Sequence, residues 1–420
     1  MKKILSVMLS LILIIGLMSG CGKNDTASVY YLNFKPEQDA AWQDLARKYT
    51  EETGVEVKVV TAAEGTYEQT LTAEIDKDEA PTLFQVSGIV GLESWKDYCM
   101  DLSDTDVYRE LVSDDFALKD GGKVYGIAYV YEAFGLITNK ALLKKAGYNI
   151  EEITSFDKLK EVAEDITARS DELGFSAFTS SGLASSSSWR FSGHLANMPL
   201  YYEFVNNNIT AQPETIKGTY LDNFKNIWDL YINNATIKPE TLTNEQNDAA
   251  SEFKAGKAVF YQNGTWEYSN IKSIGDENIG YLPIYFGVND ANMGLCSGTE
   301  NYWAVNASAS DADKKATLDF LKWVVTSETG TNALADQMGF VSPFKSAKPV
   351  NNVLAKIMTD YVDKGKYSVT WAFSATPNVD TWRAGLVDAL AAYSAGKGKW
   401  SAVEKAFVDG WKEQYIASKQ

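Results

Sequence analysis

Three short stretches of this chain place flat aromatic faces beside groups that give or accept hydrogen bonds. In AVFYQNGTWEYSNI, Trp266 follows a strand-like run and an Asn-Gly turn, at a strand end where clefts open. In SSWRFSGHLANMP, Trp189 leaves a polar loop of small residues, Ser180 to Ser188, with Arg190 beside it. An indole next to a guanidinium fork suits a flat ligand with polar edges. In YEAF, Glu132 lies between Tyr131 and Phe134, and its acceptor-only oxygens need donors. Sugars fit this chemistry, because ring C–H faces stack on aromatics while hydroxyls bond at the rim. Each residue also has a plainer reading: a core Trp at 266, a Trp capping a local apolar cluster at 189, an ion pair between two parts of the chain at 132.

Composition narrows the classes. The 420 residues carry 39 Lys and Arg against 56 Asp and Glu, a net charge of −17. Such a chain repels nucleic acid backbones and anionic membrane surfaces, so neither is an expected partner. The single histidine, His194, leaves little for His-based zinc sites or a Ser-His-Asp triad. It precedes LANMP on an expected helix and reads as structural. No Walker-type G-x-x-x-x-G-K-[ST] run is present, and no cofactor or metal is expected. Aromatic residues make up 12% of the chain and include 11 Trp; most read as core, and the surplus suggests a ligand with flat apolar faces and polar edges. Of the three Cys, Cys99 and Cys296 read as free and buried, with a disulfide as the alternative.

The elements that must position these residues follow from periodicity. VYYLNF reads as a strand, and AAWQDLARKYTEET as a helix with Trp42, Leu45, Ala46 and Tyr49 on one face and Gly54 as its stop. VEVKVV alternates as a strand, a helix runs from about Gln69 to Asp76, and TLFQVSG is a buried strand ending in a glycine turn. That β-α-β-α-β order predicts a parallel sheet covered by helices. Two apolar runs flank Tyr131 to Ala133, and a helix then ends at Gly147. TSFDKLKEVAEDITARSDEL reads as a helix capped from Thr154 with Asp157, and NYWAVN as a strand with Trp303 pointing into the sheet. From Val379 to Ile416 the tail is helical apart from a break at Gly396-Lys397-Gly398. At this length two lobes are expected.

The chain opens MKKILSVMLSLILIIGLMSGCG. Lys2 and Lys3 precede 15 uncharged, mostly apolar residues, too short a run for a bilayer span, and a small-residue exit follows. This is the layout of a secretory signal over 1–20. Met18-Ser19-Gly20-Cys21 resembles a lipobox, which implies lipidation of Cys21, a flexible tether over 21–28 and attachment to the outer face of a membrane. Removing Lys2 and Lys3 takes the net charge to −19. A Gram-positive cell surface is the expected location.

Taken in order, KYTEETGVEVKVV, GKVYGIAYVYEAFGLITNKALLKKAGY, TSFDKLKEV, AASEFKAGKAVFYQNGTWEYSNI and NYWAVNASASDADKKATLDFLKWVVTSETG resemble the extracellular solute-binding proteins of carbohydrate ABC importers, the maltose-binding-protein-like family. The resemblance spans most of the mature chain. It implies a two-lobed α/β fold of the periplasmic-binding-protein-like (type II) class, with several hinge crossovers. Lobe 1 would hold 29–130 and 298–340, and lobe 2 would hold 131–297 and 341–420. The ligand cleft would lie between them.

The resemblance also carries residues over. Trp266 takes the place of the Trp in the family's N-G-x-W stretch that stacks on a sugar ring, with Gly264 beside it. Trp189 takes the place of a second stacking aromatic. Trp382 falls near a third, with Arg383 as its neighbour if the alignment slips by one. Trp371 and Phe373 lie just upstream and read first as core. Glu132 matches a cleft-edge Glu at the first crossover. Lys35, Glu37 and Gln38, with Asn33, form the first cleft loop. Gln85, Ser87 and Gly88 form the second, and Glu300 and Asn301 the third. Arg190 would reach the ligand's polar edge.

The implied function is non-enzymatic: a monomeric receptor that takes up an extracellular mono- or oligosaccharide and hands it to ABC permease subunits by hinge closure. A surface glycoside hydrolase is the alternative from another class. It needs two carboxyls at a set separation, and no motif fixes such a pair. The same fold with a polyamine, glycerol phosphate ester or ferric ion as cargo is the third reading.

Overall fold

A computed structural model describes residues 27–63 and 65–419. The signal segment 1–20, Cys21 and nearly all of the tether lie outside the described residues. Ser28, the last tether position, already belongs to the first strand. No helix among the described residues is long and apolar enough to cross a membrane.

Strands are numbered in chain order. The first sheet contains β1 (Ser28–Asn33), β2 (Glu56–Thr61), β3 (Leu83–Ser87), β4 (Ala117–Asp120), β5 (Lys123–Ala128) and β11 (Asn301–Val305), in the order β2-β1-β3-β11-β5-β4. β1 pairs parallel with β2 and β3, as the alternating strand-helix order predicts, while β11 enters antiparallel to β3 and β5. The second sheet contains β6 (Glu132–Asn139), β7 (Ser176–Phe178), β8 (Ala258–Gly264), β10 (Met293–Gly298) and β12 (Tyr367–Val369), in the order β12-β10-β6-β8-β7; β9 (Ile279–Leu282) adds to β6.

Each sheet has apolar clusters of its own. One cluster of the first sheet gathers Tyr31, Trp42, Trp303 and Phe320, and another gathers Leu32, Tyr67 and Phe84. Successive residues of β1, Tyr31 and Leu32, fall in different clusters, so both faces of the sheet are covered. The second sheet places Phe134, Trp228, Phe260 and Trp411 in one cluster and Ile137, Phe253 and Tyr281 in another. Two separate sets of cores make two lobes.

Local signals explain most elements. The helix Asp39–Thr53 buries Trp42, Leu45, Ala46 and Tyr49, the stripe its spacing predicts. It stops at Gly54, whose φ of 77° is cheap only without a Cβ. Two local expectations are corrected. The cap of the helix Phe156–Ala168 is Ser155, not Thr154: its hydroxyl accepts from Lys158 N at 3.3 Å. Asn263-Gly264 is not a turn, because both residues stay in β8 and pair with Gly135 and Phe134 of β6. The tertiary ladder overrides a dipeptide that turns in isolation.

The chain passes between the sheets at Tyr129–Tyr131, at Thr299–Glu300 and again near Val341. These crossings run side by side: Tyr131 N donates to Val341 O (2.8 Å), and Thr299 Oγ1 donates to Val130 O (2.9 Å). Phe344 packs with the first sheet's core and bridges Leu111. Cys99 and Cys296 are both free and buried, in different lobes.

Candidate ligand-binding site

The register of the first sheet brings three connections to one edge. β1 and β3 end there, and Asn301, where β11 begins, pairs with Ser87 at the end of β3. The three polar loops expected from the sequence therefore converge. On the second sheet Gly298 pairs with Glu132 and Gly264 with Phe134, so the start of β6 and the ends of β8 and β10 share an edge as well.

Lys35 joins the two edges. Its Nζ sits 2.9 Å from Glu132 and 3.6 Å from Glu37, and 5.6 Å from the ring centroid of Trp266. Phe340, which sequence reasoning did not single out, faces the same ammonium at 5.9 Å. Burial pulls the Lys35 ammonium down, but Glu132, then Glu37 and Glu300, outweigh it and hold its pKa above the ordinary lysine range. Burial pushes the Glu132 carboxyl up, and Lys35 offsets that only in part. The ion-pair reading of Glu132 is thus realised, at the place where a ligand would also meet it.

Trp266 lies half-buried across the end of β8. A Cβ on Gly264 would fall inside its indole, so the ring rests directly on the glycine backbone. Gly264 has φ −113° and ψ −179°, extended geometry open to any residue; what the position requires is space. Trp189, also half-buried, stands 6.1 Å from Trp266 at 52°. His194 joins both. Its ring stacks on Phe134 at 4.0 Å and 2°, and meets Trp189 at 5.0 Å and Trp266 at 5.4 Å. Phe373 and Trp371 close the far side at 5.6 and 6.4 Å. Burial, with Arg383, Arg190 and Lys35 nearby, holds the imidazole well below its usual pKa, so it is neutral. His194 is structural, as expected, but what it supports is the aromatic wall itself.

Trp371 belongs to this wall and to the core at once. It is buried, and a Cβ on Gly298 would stand only 3.2 Å from its ring. Trp382 is not brought to the cleft. It is 2% exposed, donates from Nε1 to Phe407 O (3.0 Å) and packs edge-on against Phe407 and Trp411. The helix Val379–Ser394 turns that residue inward and the next one out. Arg383 reaches Ser192 Oγ at 3.2 Å and Asp380 at 3.8 Å, and its charge acts on Glu300.

The polar loops divide into frame and surface. Gln85 is fully buried; its Oε1 accepts from Phe34 N (2.6 Å) and its Nε2 donates to Tyr129 OH, so its amide holds the first loop in place. Gln38 is buried too and reaches Met338 O at 3.4 Å. Ser87 and Gly88 are half-buried, and a Cβ on Gly88 would touch Ser374 Cβ of the second lobe at 3.6 Å. Asn301 is buried with its Nδ2 lacking a partner among the described residues. Burial lifts Glu300 to about 7 against the pull of Lys35. Glu267, missed at the sequence level although it follows Trp266 directly, is likewise lifted to about 7 by burial.

Two α/β lobes, side-by-side crossings and a polar-aromatic cleft at the strand ends are where open sheets and domain interfaces hold ligands. Residues 44–363 match the sequence profile of the bacterial extracellular solute-binding proteins. The chain belongs to that family. Among solved structures, this solute-binding protein is similar to the GacH receptor of Streptomyces glaucescens GLA.O, described unliganded and with acarbose. The identity is 19%, the TM-score 0.71, and the match covers 93% of this chain and 99% of that one. It is similar to RafE in complex with raffinose, at 18% identity and TM-score 0.72, over 92% and 100% of the two chains. A Streptococcus pneumoniae solute-binding protein in complex with the blood group A-trisaccharide matches at 17% identity and TM-score 0.66, over 92% and 100%. At these identities the likeness establishes the shared fold. The family is one of binding proteins, and it is extracellular.

Proposed function

We propose that this solute-binding protein is a carbohydrate receptor of an ABC importer, with its sugar held between the lobes. The observation that carries the reading is the half-buried Trp266–Trp189 pair at the end of β8, faced by the Lys35–Glu132 ion pair and by Glu37 and Glu300 from the other lobe. Indole faces take the apolar side of a sugar ring, and the charged rim takes its hydroxyls. The solved relatives described with sugars support the same reading. Ser87, Gly88 and Asn301 complete the rim, with Arg190 behind Trp189. Closure about the crossings at Tyr129–Tyr131, Thr299–Glu300 and Val341 would bury the ligand, and permease subunits would read the closed form. The lobes would follow the division at 130, 297 and 340. Cys21 would carry a lipid that keeps a monomeric receptor at the outer face of the cytoplasmic membrane of a Gram-positive host. No reaction is assigned to it.

Thermal melting of the full chain against mono- and oligosaccharides, polyamines and glycerophosphodiesters tests this. A ligand that binds only the native state adds about 2.7 kcal/mol at a hundred times its Kd. A rise in Tm with one sugar family and no product formed is expected. A rise with a non-sugar alone, or release of reducing ends, overturns the reading.

A further inference from the structure

Two cations in the cleft are less than a tenth exposed, Lys35 and Arg190, and they are provided for very differently. Lys35 has Glu132 and Glu37 within ion-pair distance. Arg190 is 4% exposed; its charge acts on the Glu267 carboxyl, but no carboxylate lies within 4.0 Å of it among the described residues. Its guanidinium has five N–H donors in a rigid fork. Two are used, both at long range: Nη1 to Gln262 O at 3.4 Å and Nη2 to Ser180 O at 3.3 Å. The rings of Phe191 and Tyr261 face it at 4.9 and 5.5 Å. A buried charge is costly unless it is paired and its donors are filled.

The surroundings are also under-filled. Ser180 Oγ, Gln262 Oε1 and Glu267 Oε1 are buried with no hydrogen-bond partner among the described residues. The position adjoins the aromatic wall. Arg190 follows Trp189 directly, and Gln262 lies two residues before the Gly264 on which the Trp266 indole rests. Arg383 stands beside the same helical turn, bonded to Ser192. Arg383, Arg190 and Lys35 all act on the His194 ring at the centre of this wall and add to burial in keeping it neutral.

From these observations we infer that the sugar this receptor takes carries a carboxylate, a uronate or related acidic saccharide, and that Arg190 receives that group beside the Trp189–Trp266 pair. The inference rests on the sugar-receptor reading and narrows it. A planar carboxylate matches the guanidinium fork with two parallel bonds, and the hydroxyls of the same ring supply donors to the unpaired oxygens of Gln262 and Glu267. A dianionic phosphate is the weaker match, because Glu132, Glu267 and Glu300 crowd the same cleft.

The test is calorimetry on the full chain with matched pairs that differ in charge: trigalacturonate against its methyl ester, sialyllactose against lactose, and 4-O-methylglucuronosyl-xylotriose against xylotriose. Glucose 6-phosphate is a further arm. In at least one pair the acid should bind ten times or more tighter than its neutral partner, with affinity falling as salt rises. Arg190→Gln should collapse that acid-to-neutral ratio toward one, and Arg190→Lys, which keeps charge but loses the fork, should leave it intermediate. If Arg190→Gln does not fold, the wild-type ratios and the Arg190→Lys ratio decide. Neutral sugars binding as well as their acids would overturn the inference and leave the receptor reading standing. A sugar phosphate outbinding every uronate would overturn the carboxylate assignment. No binding in any pair would overturn the inference, and the melting panel then decides the receptor reading separately.

Discussion

The ammonium of Lys35 lies 2.9 Å from each carboxylate oxygen of Glu132, and neither residue is more than 6% exposed. One partner follows β1 in the first lobe and the other opens β6 in the second, so the pair ties the two lobes at the back of the cleft. Coulomb attraction across so dry a contact is strong, but it is set against the cost of taking both charges out of water.

That balance predicts an asymmetry between single and double variants. Lys35→Met leaves Glu132 buried and unpaired, and should lower the unfolding free energy by about 3 kcal/mol. Lys35→Met combined with Glu132→Gln removes both charges and should recover most of that loss. Urea denaturation of the ligand-free protein measures both. Additive losses in the double variant would show that the two side chains do not act as a pair.

Trp266 and Gly264 form a second unit. Trp266→Ala should weaken binding of the sugar that raises the Tm by about 2–4 kcal/mol, as a central aromatic anchor does. Gly264→Ala puts a methyl group where the indole now lies, so the ring must move. It should weaken binding comparably, while costing about 1–3 kcal/mol of stability through overpacking. Calorimetry and melting of the two variants separate the effects. Full affinity in Gly264→Ala would mean that the ring's present seat is not the one a sugar uses.

Much of this architecture was legible in the chain. The stripe Trp42, Leu45, Ala46 and Tyr49 and the stop at Gly54 are local features, and a helix built from them needs no tertiary information. The cleft loops were legible because open α/β folds gather strand ends at one edge. Which side chain enters the cleft was not. Trp382 and Arg383 are adjacent on a helix, and a rotation of about 100° between neighbours decides which of them meets the core. Only the packing of Phe407 and Trp411 fixes that rotation. His194 was opaque for the opposite reason: its surroundings come from β6, the Trp189 turn, Trp266 and Trp371, which converge only in the folded chain.

The acid groups of the cleft predict a pH dependence. Burial raises Glu267 and Glu300 to about 7 from an ordinary 4.5, so the folded protein holds protons that the unfolded chain has released. Where the folded state binds more protons, stability falls as pH rises. The Tm of the ligand-free protein should therefore decline between about pH 5 and pH 8 from these two groups. His194 acts on the acid side: its depressed pKa means that stability is lost as pH falls below its ordinary value of 6.5. Glu267→Gln should flatten the alkaline decline and raise the Tm at pH 8, and His194→Phe should flatten the acid limb. A Tm profile unchanged in both variants would place the titration elsewhere.

Trp382 supplies a contrast within a single helix. Its indole fills the space between Phe407 and Trp411 and its Nε1 is spent on a backbone carbonyl, so Trp382→Ala opens a large core cavity. Such truncations cost about 3–5 kcal/mol, because surrounding side chains relax only in part. The cost should appear as a lower Tm at every ligand concentration, with the Kd measured well below that Tm moving less than threefold. Arg383→Gln, one residue on, should do the reverse. It removes a cation that faces Glu300 and His194, so ligand affinity should change while the Tm of the free protein stays within a few degrees. Melting curves and titration calorimetry on the two variants, side by side, read both quantities. A large affinity loss in Trp382→Ala with an unaltered Tm would place that indole in the cleft after all and would require the helix to turn by one residue.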